Sequence, residues 1–324
     1  MKLLIQIPCY NEEKTLPVTV ADLPRSVKGI DEIEYLIIDD GSTDNTALIA
    51  RECGVHHIVK LKMNSGLARA FITGVDACLK LGADIIVNTD ADNQYNAADI
   101  EKLIEPILKE QADIVIGERP IDKTKHFSFV KKRLQRLGSL VVRIASGTKI
   151  PDAPSGFRAY SREAALRINV HNMYTYTLET IIQAGNNRIS ITSVPVRTNP
   201  ELRKSRLFKS MWGYIQRSAT VIVRSVMMYR PLKFFMYLGT AVSLVGVGFI
   251  VRWFILSHLG GGGGNIPSLV LAAMLIMVGV QLIIAGLQAD VAAANRKMIE
   301  DVQYRVRKME CECVDKNTDT NKKR

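Results

Sequence analysis

The sequence predicts an α/β protein with a mostly parallel sheet and flanking helices, followed by an interfacial amphipathic helix and a two-helix transmembrane hairpin. Three observations carry this. Between residue 3 and about residue 117, short apolar runs rich in β-branched residues alternate with segments of helical spacing, the pattern of right-handed βαβ units. Two later stretches, Phe234 to Val251 and Ile266 to Ala289, hold 18 and 24 residues without a charge, close to the ~20 a helix needs to cross a bilayer core. Ahead of them, Met211, Ile215, Ile222 and Val226 share one helical face while Lys209, Arg217 and Arg224 share another, as in a helix lying among lipid headgroups.

The strands expected in order are Leu3 to Ile7, Tyr35 to Ile38, Ile58 to Leu61, Ile85 to Val87, Ile114 to Ile116 and Ile189 to Val196. Helical spacing marks Leu67 to Leu81, Ile100 to Leu108, a basic amphipathic helix over Lys131 to Ala145 with Leu134, Leu137, Val141 and Ile144 on one face, and a helix beginning at Thr177. The block Pro151 to Arg158 reads as an irregular loop because of its prolines and glycine. Domain bounds follow: a catalytic unit over 1–206, the interfacial helix over 207–230, the hairpin over 231–290 with spans at about 232–256 and 266–289, and a tail over 291–324. Within the tail, Val291 to Met309 suits a soluble helix and Val314 to Arg324 is polar enough to be disordered.

Ligands of open parallel sheets collect at the carboxyl ends of the strands, so the loops there are the informative part. The run Ile85-Ile86-Val87 ends in Asn88-Thr89-Asp90-Ala91-Asp92-Asn93-Gln94. Two carboxylates separated by one residue, with an amide beyond them, are hard oxygen donors suited to Mg²⁺ or Mn²⁺; a plain acidic turn or a helix N-cap is the alternative. The first strand ends in Pro8-Cys9-Tyr10-Asn11-Glu12-Glu13, where a proline is expected to stop the ladder, and the second in Asp39-Asp40-Gly41-Ser42-Thr43-Asp44. There Gly41 permits a tight turn and Ser42 or Thr43 is available to cap the next helix. Amides at the helix entry in Met63-Asn64-Ser65-Gly66-Leu67-Ala68-Arg69-Ala70 could face a phosphate, its small residues equally serving to pack the helix on the sheet, and Arg119 at the end of a further strand could serve a diphosphate.

The formal net charge of +11 calls for an anionic partner. Lys and Arg cluster at 123–143 and at 197–233, the latter running into the first apolar span, so anionic membrane lipids explain them better than nucleic acid. Cys9, Cys53 and Cys78 are scattered singly, as reduced thiols are, while Cys311-Glu312-Cys313 is a weak lipid or metal site. The first apolar run is too short for a signal peptide. Residues 257–267 between the spans carry no Lys or Arg whereas both outer flanks are basic, which orients the catalytic unit and the tail toward the cytoplasm.

The motifs Pro8-Cys9-Tyr10-Asn11-Glu12-Glu13, Asp39-Asp40-Gly41-Ser42-Thr43-Asp44, Asp90-Ala91-Asp92-Asn93-Gln94 and Ser155-Gly156-Phe157-Arg158 occur in this order, and together they resemble family 2 glycosyltransferases. The likeness is strongest to the polyprenyl-phosphate branch, which includes dolichol-phosphate mannose synthases and bacterial undecaprenyl-phosphate enzymes. The resemblance implies a GT-A-type fold and an inverting, metal-dependent hexosyltransferase. It puts Pro8, Tyr10, Glu12, Asp39, Asp40 and Ala91 at the nucleotide sugar, and Asp90, Asp92 and Gln94 at the metal and diphosphate with Arg119 beside them. Asp152 becomes the acceptor-side carboxylate, and Arg203 and Arg206 belong to a basic loop closing over phosphate. Lys131 and Gln135 stand where the branch has an arginine and a serine, leaving Arg133 and Arg136 as substitutes at the acceptor phosphate. A Gln-x-x-Arg-Trp motif is absent, which argues for transfer of a single sugar.

The expected partners are therefore a nucleotide-sugar donor, a polyprenyl phosphate acceptor and anionic lipids; homo-oligomerisation stays open. Two other readings are transfer to a sugar hydroxyl of a lipid-linked glycan, and a non-enzymatic membrane subunit that binds sugar nucleotides.

Overall fold

A computed structural model of the chain describes residues 1–120, 138–143, 146–170, 176–200, seven positions between 216 and 229, 231–259 and 266–322. They form two compact units, Met1–Ile222 with Glu300–Arg324, and Val223–Ile299.

The first unit is built on a seven-stranded sheet in the order β3-β2-β1-β4-β6-β5-β7. The strands are β1 (Lys2–Cys9), β2 (Glu32–Asp39), β3 (His57–Lys60), β4 (Ile85–Asn88), β5 (Ile114–Glu118), β6 (Arg158–Ser161) and β7 (Ile191–Pro195). Leu3, Leu4, Ile5 and Ile7 of β1 and Ile85, Ile86 and Val87 of β4 are fully buried, the continuous apolar run expected of strands covered on both faces. Helices α1 (Leu16–Asp22), α2 (Thr46–Glu52), α3 (Leu67–Lys80), α4 (Ile100–Leu108), α5 (Arg162–Arg167) and α6 (Thr177–Asn186) flank the sheet. Helix α3 buries Ala68, Phe71, Ile72, Val75, Cys78 and Leu79, and α4 buries Ile100, Leu103, Ile104 and Ile107.

Strand β6 was not legible in the sequence. It is antiparallel to both β4 and β5, so its first residue, Arg158, lies opposite Asn88. An antiparallel insertion begins at the rim where its parallel neighbours end, and this brings the 152–157 loop to the ligand edge.

Pro8 does not stop the ladder, contrary to expectation; it pairs in register with Ile38 inside β1. Backbone groups alternate between the two edges of a strand. Gln6 O accepts from Thr89 N on the β4 side and Cys9 O accepts from Asp40 N on the β2 side. The donor missing at Pro8 therefore faces the β4 side, where pairing has already ended at Asn88.

In the basic segment, residues 138–143 are helical, but the buried stripe is one residue out of the expected phase. Ser139, Val142 and Ser146 are buried while Leu140 and Val141 are exposed. Leu134, Leu137 and Ile144 lie outside the described residues, as do Met211, Ile215, Ile222 and Val226 of the expected interfacial helix.

In the second unit, α7 (Pro231–Leu259) packs against the first part of α8 (Ile266–Lys322). Both are long and apolar enough to cross a membrane, and their most apolar windows are only 11% and 17% buried, unlike core helices. Small residues let the backbones touch: a Cβ added at Gly239 would lie 2.6 Å from Gly279 O, and one at Gly246 2.9 Å from Ala272 O. This is close packing of the kind that joins helices where the solvent is itself apolar. Helix α8 also departs from expectation, continuing unbroken to Lys322 through the segment expected to be disordered. No Gly or Pro follows Gly286 to stop it, and Tyr304 and Arg307 hold it on the α/β unit.

Candidate active site

Two loops are knitted together at the ends of β1 and β2. Asn11, at φ +56°, receives a hydrogen bond from Thr43 N at 2.8 Å and donates its own N–H to Ser42 Oγ at 3.0 Å, while Glu12 N donates to Thr46 Oγ1 at 2.8 Å. Gly41 turns the chain at φ +69°, where a Cβ would come within 2.6 Å of Asn64 N. Neither Ser42 nor Thr43 caps α2: Asn45 occupies that position without a side-chain bond, and Asp44 Oδ1 accepts from Thr46 N at 3.0 Å.

The adjacent carboxylates Asp39 and Asp40 are both buried and differ in use. Asp40 accepts from Ser65 N at 2.7 Å and Gly66 N at 2.9 Å. The β2 loop thus supplies the anion for two of the amides in this helix entry, those just ahead of the first α3 residue, Leu67. Asp39 Oδ1 accepts from Ser42 N at 2.8 Å, but its buried Oδ2 has no hydrogen-bond partner and only Lys60 Nζ at 3.9 Å. A buried acceptor left open is costly, and it suits a ligand N–H or hydroxyl. Tyr10 is exposed on the same rim, Pro8 is half-buried below it and Glu12 is buried, accepting from Thr15 Oγ1 at 2.6 Å.

At the end of β4 the Asn88 side chain ties three elements. Its Oδ1 accepts from Gln6 Nε2 at 3.0 Å, and its Nδ2 donates to Gly156 O at 2.8 Å and Tyr176 Oη at 2.9 Å. Gly156 N donates to Tyr95 Oη at 3.0 Å. Tyr95 stacks on Phe157 with centroids 5.0 Å apart, and Tyr176 on Phe71 at 3.9 Å. A Cβ at Gly156 would sit 3.1 and 3.2 Å from the two Asp90 oxygens, so the loop before β6 lies directly against that carboxylate.

The Asp90 to Gln94 loop is pinned from several sides. Ala91 is buried, its carbonyl accepting from Thr19 Oγ1 at 2.9 Å. Asp92 Oδ1 accepts from Gln94 N at 3.2 Å. Asn93 holds φ +55° and donates to Asp22 at 2.7 Å. Asn199 donates its N–H to Gln94 O at 2.9 Å and its side-chain amide to Asn93 O at 3.1 Å. Asp90, Asp92 and Gln94 themselves are partly exposed. Their oxygens fit Mg²⁺ or Mn²⁺; among the described residues no group of three or more His, Cys, Asp or Glu is arranged to hold a metal, so further positions would fall to substrate and water.

Arg119 and Asp152 form one unit. Asp152 is fully buried and Arg119 nearly so. Burial works against the Arg119 charge, yet the Asp152 and Asp90 carboxylates hold the guanidinium protonated and its pKa is raised. Burial also pushes the Tyr95 phenol up to about 12, with Asp90 and Asp152 adding to the rise; Tyr95 is a neutral hydroxyl at physiological pH. Arg158, read only as part of a motif, is buried and structural. Its guanidinium donates to Ser155 O at 2.7 Å, Ala153 O at 2.8 Å and Thr180 Oγ1 at 2.7 Å, fixing the loop that carries Asp152 and Gly156.

The structure thus gathers Asp39, Asp40, Asp90, Ala91, Asp92, Gln94, Arg119 and Asp152 on one rim. Lys131, Arg133, Arg136, Arg203 and Arg206 lie outside the described residues. Sequence reasoning missed Asn88, Tyr95, Tyr176 and Asn199. Only Asn88 left a signal, an amide at the end of a run otherwise buried and apolar.

A GT-A-like sheet with an acidic Asp-x-Asp loop at its carboxyl rim defines a glycosyltransferase. The model of glycosyl transferase family 2 matches residues 4–168, and the chain belongs to that family. A UDP-N-acetylglucosamine–dolichyl-phosphate N-acetylglucosaminyltransferase of Methanococcus voltae is 34% identical over 59% of this chain and 83% of its own length. The polyprenol monophosphomannose synthase of Mycolicibacterium smegmatis is 28% identical over 63% and 80%. Among solved structures, glucosyl-3-phosphoglycerate synthase of Mycobacterium tuberculosis with Mn²⁺, UDP and glucosyl-3-phosphoglycerate superposes with a TM-score of 0.53 at 19% identity, over 70% of this chain and 78% of that one; at that identity it speaks for the fold.

Proposed function

We propose that the protein moves one sugar from a nucleotide-sugar donor to a membrane-embedded polyprenyl phosphate, undecaprenyl or dolichyl, with inversion at the anomeric carbon and release of a nucleoside diphosphate. The observation that carries this is the convergence of Asp39, with its open buried oxygen, and the Asp90 to Gln94 loop on one rim in a chain that also holds two helices able to span a bilayer. The names of the relatives supply the acceptor class.

In this reading Asp39 accepts from the nucleoside with Tyr10 beside it, and Asp90, Asp92 and Gln94 hold a divalent cation. That cation neutralises charge on the leaving diphosphate. Arg119 is held by Asp152 so that its guanidinium borders the same space. The acceptor needs no strong base, because a phosphomonoester with a second pKa near ~6 is largely dianionic at neutral pH. The harder task is to bring two anions together, which is the work assigned to Lys131, Arg133, Arg136, Arg203 and Arg206. The catalytic unit faces the cytoplasm, where nucleotide sugars are made.

The test is incubation of the purified protein with a panel of labelled nucleotide sugars and polyprenyl phosphate. An organic-extractable product labile to mild acid is expected; label transferred only to sugar hydroxyls would overturn the proposal. In the same assay Asp92→Asn should cost at least ~10²-fold in kcat, since metal stabilisation contributes several kcal/mol, and should lose Mn²⁺ binding measured by electron paramagnetic resonance. Unchanged Mn²⁺ binding would remove the metal assignment.

A further inference from the structure

The C-terminal part of α8 carries an apolar seam that the described residues leave exposed. Ile299, Val302, Val306, Met309 and Cys313 follow one another at intervals of three, four, three and four residues, which is the a and d spacing of a heptad. The first four are 66%, 59%, 42% and 57% exposed, and Cys313 is exposed too.

The helix meets the α/β unit through a different face. Tyr304 Oη donates to Glu163 at 3.0 Å, and Arg307 pairs with Asp76 at 3.2 Å and donates to Ile168 O at 2.9 Å, while Cys311 is buried. In the same heptad these are positions f, b and f. A helix that served only its own domain would turn its aliphatic stripe inward; this one docks by polar groups and turns the stripe out.

The flanks of the seam name the occupant. Arg305 falls at g and Glu310, five residues on, at the following e. In a parallel pair of helices these are the positions that meet across the interface, so two identical chains would form one Arg–Glu pair on each side. Arg305 now bonds Asp301 on its own helix at 2.9 Å with both side chains well exposed, a surface pair of little net value that can exchange. Ile299 and Val306 match the β-branched a positions of parallel dimers, while Val302 and Met309 stand at d in place of the leucine that completes that pattern. Copies inserted by the same hairpin must also run parallel, and confinement to one membrane raises their effective concentration, which a seam of two heptads needs.

We propose that this seam is a homodimer interface, a short parallel coiled coil between two copies of the chain, closed by reciprocal Arg305–Glu310 pairs. The proposal is independent of which sugar donor is used. The test uses the full-length chain in vesicles of phosphatidylcholine and phosphatidylglycerol, with mild oxidation to join Cys313 to its counterpart. A disulfide dimer should form in wild type and be lost in Cys313→Ser. Arg305→Glu makes both flanks acidic and Glu310→Arg makes both basic; each alone should slow cross-linking at least tenfold. Mixing the two variants, or combining them in one chain, should restore it. Wild-type chains that do not cross-link overturn the proposal, as do single-charge variants that cross-link at the wild-type rate or fail to rescue one another. A fluorophore at Val306→Cys that is quenched by spin-labelled lipid equally at every protein dilution would assign the seam to the bilayer surface and also overturn it.

Discussion

The Arg119 guanidinium closes on the Asp152 carboxylate through two parallel hydrogen bonds, Nε to Oδ2 at 2.8 Å and Nη2 to Oδ1 at 3.0 Å, and the Arg119 backbone N–H adds a third at 3.2 Å. Bidentate pairs of this kind fix orientation as well as charge. Asp152 is thereby committed to holding an arginine.

Asp152→Asn should lower kcat about 10- to 100-fold while leaving the shape of its pH profile unchanged. A lost general base would cost ~10²–10⁴-fold and change that profile. The measurement is kcat against pH for both proteins. Disappearance of an acidic-limb ionisation seen in wild type would make Asp152 the base and end the pre-ionised-acceptor mechanism.

Gly156→Ala tests how tightly the loop before β6 fits the acidic loop. The added methyl would press on both Asp90 oxygens at 3.1 and 3.2 Å and on Tyr176 Oη at 3.2 Å, and the neighbours must give by a few tenths of an ångström. Misplacement of a reacting group is costly, so activity should fall at least ~10-fold with little change in thermal stability. A fully active variant would place Asp90 outside the reacting geometry.

The Asp99 carboxylate behind the acidic loop has its side chain fully buried between Arg197 and Lys102. Burial opposes its charge, but hydrogen bonds from Arg197 and Lys102 win and bring its pKa from 3.8 to about 2. The folded value lies below the unfolded one, so the stabilisation is present above about pH 4 and is lost as pH falls toward about 2. Thermal unfolding of the detergent-solubilised chain should therefore drop more steeply over that window in wild type than in Asp99→Asn. Equal slopes would refute the assignment.

In the hairpin, Gly279→Leu should disrupt the seam whereas Gly248→Leu should not. A Cβ at Gly279 would overlap Ser243 Oγ and lie 2.6 Å from Gly239 O, while Gly248 meets nothing within 4 Å. Overpacking typically costs ~1–3 kcal/mol, and unfolding in a denaturing detergent series reads the difference. Equal stabilities would mean that the helices do not meet along Gly239 and Gly279.

Local patterns along the chain were enough to specify the parallel strands, α3 and α4 nearly to the residue, the two apolar spans and the acidic loop. Each rests on a local pattern: continuous burial in β1 and β4, helical spacing in α3, uninterrupted apolarity in α7 and the first part of α8, and two carboxylates directly after a buried strand. That β6 is inserted antiparallel, that Asp40 takes the Ser65 and Gly66 amides ahead of α3, and that Asp152 belongs to Arg119 was settled only in three dimensions. The partners in these pairs lie 25 to 33 residues apart for the polar contacts, and β6 follows β5 by about 40 residues. No pattern of period 2 or 3.6 encodes such a meeting. A buried charge or amide takes whichever partner the packed chain brings within reach, and that choice is made only when the sheet has closed.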